Sequence, residues 1–422
     1  MAEYFSQFIA GLYEFLFYYP LFMAYLWMIG ALIYFKHWET GEFHNIDDEP
    51  QLGEHSPVSF VIPCFNEEQC IAETIEYLIR QDYPNFEIVV VDDGSTDNTW
   101  QVLEGLCALY PQLRIVRLAE NRGKAMALRT GALMARSEFL ICIDGDALLD
   151  YHAATWIMSH FLTGSRVGAV TGNPRIRTRS TLLGKIQVGE FSAIVGMIKR
   201  AQRIYGRVFT VSGVVAGFRK TALHQVGYWR QNTVTDDIDI SWRLQMNHWD
   251  IRFEPNALCW ILMPETFRGL WRQRLRWAQG GMEALLEYSG KMLPWRKRRM
   301  WGVVIEYFTS IFWAYSMALV GLIWAIGHFV PLPPWLHVPS LIPGWHGVVL
   351  GTTCLLQFAV SLMIDSRYEK GIGRIYYWLI WYPLVYWILQ VITTVVAVPK
   401  AMISLRKKSG SWESPDRGLR PT

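Results

Sequence analysis

Three stretches decide the fold: Val58–Glu67 (VSFVIPCFNE), Phe86–Ser95 (FEIVVVDDGS) and Glu138–Asp146 (EFLICIDGD). Each is a short run of Val, Ile, Leu and Phe that ends in a polar turn bearing an acid. Val58–Ile62, Glu87–Val91, Arg114–Leu118 and Glu138–Ile143 read as strands. The stretches between them, Glu67–Gln81, Asp97–Tyr110 and Lys124–Arg136, have helical spacing, with Asp97 placed as a cap. Continuous apolar strands alternating with helices imply a parallel sheet covered on both faces. The expected architecture is α/β and Rossmann-like, with strand order 3-2-1-4 and a ligand beyond the carboxyl ends of the strands. GxGxxG and Walker motifs are both missing from the sequence, which excludes NAD in the usual frame and ATP in a P-loop.

The strand ends are acidic. Strand one ends in Pro63, Cys64, Phe65, Asn66 and Glu67, strand two in Asp92, Asp93, Gly94 and Ser95, strand four in Asp144, Gly145 and Asp146. Taken singly, Asp-Asp-Gly-Ser reads equally as a turn with a helix cap, and Asp144-Gly-Asp146 as a β-turn. Three carboxylate-bearing loops at the ends of one sheet point to a cation and a phosphate-bearing substrate. One or two carboxylates plus substrate phosphates are the usual way to hold Mg²⁺ or Mn²⁺. Downstream, Thr235, Asp236, Asp237, Ile238 and Asp239 open an amphipathic stretch, and capping accounts for only one of the three acids. Gln273, Arg274, Leu275, Arg276 and Trp277 follow on a segment rich in Trp and Arg, a pattern that also suits a basic helix at a membrane surface.

Charge is distributed unevenly along the 422 residues. Neither 1–35 nor 303–364 contains Lys or Arg, so a hydrophilic block is bracketed by apolar segments. Half of the residues (51%) are hydrophobic and 18% are charged, below the quarter usual for soluble domains. This excludes a disordered chain, and a net charge of +3 gives no case for nucleic acid. Six cysteines are scattered without disulfide or metal-ligand spacing. Phe15–Phe35 is long enough to span the hydrocarbon and reads as a retained anchor after an interfacial segment, Tyr4 to Tyr13. Further spans are expected near 303–330, 345–364 and 376–398. Lys36 and Arg296–Arg299 assign the central block to the cytoplasm by the positive-inside rule. Loop 331–344, free of Lys and Arg, then lies outside, and loop 365–374 inside. Four crossings leave a basic tail outside; a re-entrant Pro383 segment keeps it inside. The expected units are 1–36 (interfacial segment and span), 37–281 (cytosolic domain), 282–302 (basic interfacial segment), 303–398 (three spans, the last either crossing or re-entrant) and 399–422 (tail).

Asp-Asp-Gly-Ser, Asp-x-Asp, Thr-Asp-Asp and Gln-x-x-Arg-Trp, in this order, resemble the membrane-integrated, processive, inverting family-2 glycosyltransferases, to which cellulose, chitin and hyaluronan synthases belong. Thr171–Arg179 (TGNPRIRTR), Lys185–Glu190 (KIQVGE), Trp260–Glu265 (WILMPE), Leu275–Gly281 (LRWAQGG) and Trp412–Gly418 (WESPDRG) are similar to the poly-N-acetylglucosamine-synthesising branch of that family. Asp236 stands where that branch usually has Glu, which preserves the charge. The resemblance implies a GT-A type nucleotide-diphospho-sugar transferase domain between transmembrane helices, taking UDP-GlcNAc and extending a biofilm exopolysaccharide, poly-β-1,6-GlcNAc.

It also implies roles. Pro63, Asn66, Glu67 and Asp93 hold the uridine, with Lys124 nearby. Asp144 anchors the ribose and Asp146 the metal, Mg²⁺ or Mn²⁺. Asp237 is the general base, Gln273 and Arg276 close on the diphosphate, and Trp277 stacks on the acceptor sugar. A bacterial inner (cytoplasmic) membrane, a small membrane subunit and cyclic di-GMP-linked regulation complete the expectation. The alternatives are a hyaluronan, chitin or cellulose synthase, which shares the catalytic motifs, and a polyprenyl-phosphate sugar transferase, which generally lacks Gln-x-x-Arg-Trp. A non-catalytic transporter needs more spans and intramembrane polar pairs.

Overall fold

The computed structural model describes residues 2–40, 49–336, 338, 340 and 344–404. The chain begins with one continuous helix, α1 (Ala2–Tyr34), which covers both the interfacial segment and the span read from sequence. The central domain then runs β1 (Val58–Cys64), α2 (Ile71–Ile79), β2 (Phe86–Asp92), α3 (Thr99–Leu109), β3 (Leu113–Arg117), α4 (Lys124–Met134), β4 (Phe139–Ile143) and β5 (Leu148–Leu149). It continues through α5 (Ala153–Thr163), β6 (Val167–Ile176), α6 (Leu182–Phe191), α7 (Ile198–Tyr205), β7 (Val215–Arg219), α8 (Lys220–Val226), α9 (Asp236–Met246) and β8 (Asp250–Ile261). A long helix, α10 (Phe267–Met292), leads to α11 (Trp301–Gly327), α12 (Gly344–Asp365) and α13 (Tyr382–Ser404).

The eight strands form one sheet in the order β3-β2-β1-β4-β7-β6-β8-β5. Its first half is parallel, with Val58↔Phe86 and Val58↔Phe139 in register, as the buried Val/Ile runs require. Its second half is mixed. β7 runs antiparallel to β4 and β6, and β6 runs parallel to β8. Nothing in the local pattern marks β6 as a strand, because it contains Pro174. Register shifts at Val167/Ala169 and Thr171/Asn173 accommodate it. Helix α2 starts four residues later than its spacing suggests, because Asn66 takes a left-handed turn (φ 56°) before it. Asp97 accepts the N–H of Thr99 at the start of α3, as a cap should, and also that of Glu68.

Among the described residues, four helices are long and apolar enough to cross a membrane: Gln7–Glu39, Trp295–Gly327, Gly344–Asp365 and Tyr386–Ser404. Ile305, Phe308, Phe312, Leu319 and Leu322 of α11 are exposed, a surface suited to hydrocarbon rather than water. The ends of α1 and α12 nearest the central domain meet in a buried charge cluster. Arg200 on α7 pairs with Glu39 just after α1 and with Asp365 at the end of α12, which also takes Arg175 of β6 at 2.7 Å. Two arginines face two carboxylates with almost no water, so each charge depends on the others.

Helix α10 runs past position 281, so the expected boundary there falls inside one helix, whose later turns pack Tyr288 and Met292 on Trp242 and Met246 of α9. The segment read as a span at 376–398 is a tight 3₁₀ stretch, Ile372–Trp381, followed directly by α13, with Pro383 at the junction. Both ends of α13 touch domain-side elements. Tyr382 and Gln390 reach Glu190 of α6, while Lys400, Ile403 and Ser404 share an open cavity of about 270 Å³ with Gln279 of α10. The basic tail, from position 405, and part of loop 331–344 lie outside the described residues.

Candidate active site

The carboxyl ends of β1, β2 and β4 converge, as the strand order demands. β1 pairs with β2 through Pro63 and Cys64, while its pairing with β4 stops at Val61, so the missing proline N–H falls beyond the β4 ladder. Asn66 ties two loops together, its N–H donating to Ser95 Oγ at 2.9 Å and its Oδ1 accepting from Thr96 N–H at 2.9 Å. Glu67 is buried, its backbone N–H bonded to Thr99 Oγ1. Asp93 is fully buried, and its two oxygens accept the N–H groups of Arg122 (2.9 Å) and Gly123 (2.8 Å). Burial raises its pKa, and these bonds oppose the rise. Asp93 therefore holds the turn that delivers Lys124. Gly94 is required here: its φ is +72°, and a Cβ would lie 2.8 Å from the Glu120 carbonyl carbon.

Lys124 is the first residue of α4, and its Nζ bonds Asp144 Oδ1 (2.5 Å) and the Gly213 carbonyl (3.0 Å). Burial works against the ammonium, but Asp144, Asp236 and Asp237 together raise its pKa above the ordinary lysine range. The Asp144–Asp146 turn is pinned through Thr74 Oγ1, which donates to the Gly145 carbonyl at 2.9 Å. Both carboxylates of this turn stay half-buried, open enough to receive a ligand. Two half-buried carboxylates on one turn are a donor set that fits a hard divalent cation. Another acidic cluster, Glu49, Asp82 and His152, has its ligand atoms within 4.8 Å of one another. Asp82 lies just before β2, by the amino end of that strand and away from its carboxyl end, and His152 already bonds both carboxylates there.

Asp237 lies in the first turn of α9, its Oδ1 accepting the N–H of Ile238. Burial, then Asp236, pushes its carboxyl up to about 6 against the pull of Lys124, Ile238 N–H and Arg276. Gly213 lies against it: a Cβ there would be 3.2 Å from Asp237 Oδ2. Asp239 is separate, taken up by Arg243 and by the Tyr288 hydroxyl. Of the three acids, Asp237 near Lys124 is the candidate base and Asp239 is structural. Sequence reasoning missed Lys199, a buried amine on α7 that donates to Thr171 Oγ1 (3.0 Å), the same oxygen that receives Ser212 N–H. Burial lowers its pKa to about 7 while Asp237 opposes. No periodicity or motif marks it.

On α10, Arg276 is exposed and lies within electrostatic reach of Asp237. Gln273 donates to Met263 Sδ at 3.6 Å. Trp277 is half-buried beside Phe191, their ring centroids 6.2 Å apart, with the Arg274 guanidinium 4.3 Å from its centroid. The geometry thus brings Lys124, Asp144 and Asp237 together, with Arg276 within electrostatic reach of Asp237 and Trp277 one residue beyond it. Asn66 and Asp93 turn inward and shape the loops instead.

Residues 55–280 match the family model described as glycosyltransferase like family 2. This chain belongs to the family-2 glycosyltransferases. The enzyme is 38% identical over 410 residues to a poly-beta-1,6-N-acetyl-D-glucosamine synthase of Staphylococcus epidermidis, covering 96% of this chain and 98% of that protein. A protein of the same name from Staphylococcus aureus is 37% identical over 408 residues, with the same coverage. Among solved structures, a mannosyltransferase from Pyrobaculum calidifontis, in complex with GDP-Man and Mn²⁺, superposes with a TM-score of 0.61 at 20% identity, covering 90% of this chain and 99% of that one. That likeness shows the fold of the glycosyltransferase, GT-A with a mixed sheet. Four helices among its described residues have the length and apolar composition of membrane spans, which fits a membrane protein.

Proposed function

We propose that this glycosyltransferase polymerises N-acetylglucosamine from UDP-GlcNAc into a β-1,6-linked exopolysaccharide, at the cytoplasmic membrane of a bacterium. Asp237 carries the reading: a carboxylate lifted to about 6 is basic enough to take a hydroxyl proton and is ionised at neutral pH. Its position beside the Lys124–Asp144 pair, with Arg276 also within electrostatic reach, suits a single in-line displacement that inverts α to β. The relatives' name, over nearly their full length, supports the sugar and linkage.

In this reading, Pro63–Glu67 and Asp93 shape the uridine pocket, and Asp144 and Lys124 hold the ribose and diphosphate. Asp146 would hold Mg²⁺ or Mn²⁺, which supplies Lewis-acid neutralisation of the leaving diphosphate. Arg276 pairs with phosphate as charge develops, Gln273 closes over it, and the Trp277 indole supports the terminal sugar. Asp237 removes the acceptor proton.

The proposal sets the domain in the cytosol, with α1, α11 and α12 crossing the bilayer. The contacts of both ends of α13 with α6 and α10 support a helix lying along the cytosolic interface, which keeps Lys400 inside. The product, made in the cytosol, leaves through the membrane helices. The family resemblance adds a small membrane subunit and cyclic di-GMP-linked regulation, both testable by copurification. Membranes given radiolabelled UDP-GlcNAc or UDP-Glc decide the donor, and a β-N-acetylglucosaminidase digestion of the product decides the linkage. Incorporation of glucose, or of glucuronate beside GlcNAc, refutes the proposal in favour of a cellulose- or hyaluronan-type synthase.

A further inference from the structure

Glu190 lies near the end of α6, 1% exposed, and takes no part in the chemistry above. One of its oxygens, Oε2, accepts from Nη2 of Arg274, itself 3% exposed on α10. The other, Oε1, accepts from the Tyr382 hydroxyl and the Gln390 amide of α13, each at 3.4 Å. Arg274 in turn places its guanidinium 4.3 Å from the centroid of the Trp277 ring, and Phe191, the residue after Glu190, flanks the same indole. A continuous chain of contacts therefore links the apolar helix α13 to the aromatic side chain of Gln-x-x-Arg-Trp. Stability gives no reason for it, since a buried ion pair is often matched or bettered by apolar residues of the same volume. Orientation does: an indole has two free side-chain torsions, and a fixed cation on its face with a ring at its side leaves it one position.

We propose that Glu190 and Arg274 are a positioning pair for the acceptor, holding the Trp277 indole in its working orientation and anchoring it to α13 through Tyr382 and Gln390. This rests on the reading of Trp277 as the acceptor platform. Neither residue touches the donor, which binds at the strand ends, so the pair acts on elongation alone.

The test uses full-length enzyme in detergent, with UDP affinity by calorimetry, the KM for donor, the KM for a β-1,6-linked GlcNAc oligomer, and product length. Glu190→Gln leaves Arg274 without its counter-charge. The double variant Glu190→Gln/Arg274→Met leaves no buried charge unpaired, so it folds if the first does not. Both raise the acceptor KM about five- to tenfold, the scale of a lost cation–π contact with its orientation, and shorten the product, while UDP affinity stays at its wild-type value. Tyr382→Phe moves the acceptor KM the same way by less. Adding Trp277→Ala to the double variant brings no further loss, because all act through one group. A wild-type acceptor KM in the double variant, with a raised one in Trp277→Ala, overturns the proposal. So does a parallel loss of UDP affinity, which marks a purely structural pair. An unchanged acceptor KM in Trp277→Ala refutes the acceptor reading itself, and the proposal falls with it.

Discussion

Replacing Asp237 by Asn separates proton removal from binding. Asparagine keeps the shape of the side chain and still accepts the Ile238 N–H, which lies 2.9 Å from Oδ1. The Lys124–Asp144 contact, the Asp93 loop and the Asp144–Asp146 turn are untouched, so UDP affinity should remain normal. Turnover should fall by about 10²–10⁴-fold, the range of a lost general base. The same carboxylate predicts a pH limb. Burial and Asp236 raise its pKa to about 6, and the base works only when deprotonated. Wild-type kcat/KM should therefore be flat above that value and fall tenfold per unit as pH drops below it, while the Asn variant lacks the limb. Incorporation of radiolabelled UDP-GlcNAc measured from about pH 5 to 8, beside calorimetry of UDP on both proteins, reads all of this. Wild-type turnover in Asp237→Asn, or a limb that persists in it, refutes the assignment. The base is then Asp236, because Asp239 is committed to Arg243 and Tyr288.

Asp146→Asn removes an anionic ligand from a hard cation, so UDP binding should lose its dependence on Mg²⁺ or Mn²⁺ in calorimetry while metal-free binding is unchanged. Gly213→Ala inserts a methyl 3.2 Å from Asp237 Oδ2, and the displaced base should cost about tenfold in kcat with donor KM unaltered, by steady-state kinetics. Asp365→Ala leaves Arg175 and Arg200 short of a buried counter-charge and should lower stability by about 3–5 kcal/mol, seen as a reduced melting temperature in detergent. Cysteines at Lys297 and Lys400 should both resist an impermeant external reagent in intact cells; labelling at 400 alone means that α13 crosses the bilayer.

Much of this was legible in the residues themselves. A strand buried on both faces must be apolar throughout, so Val58–Ile62, Glu87–Val91 and Glu138–Ile143 announced a parallel sheet, and its order followed from the usual winding. The acids had to lie at the strand ends because the turns carry them. Apolar length and the absence of Lys and Arg marked the membrane helices in the same local way. Other features depended on partners far along the chain. The antiparallel half of the sheet pairs strands whose own patterns are broken by Gly and Pro, so only their neighbours define them. Asn66 and Asp93 stood at the cleft in sequence, yet their side chains spend their hydrogen-bonding capacity on loops about 30 residues away. Arg200 meets Glu39 across 161 residues and Asp365 across 165, and Arg274 meets Glu190 across 84. Periodicity records which face of an element is buried, but says nothing about which distant charge will be waiting there. That pairing exists only once the chain has closed around it.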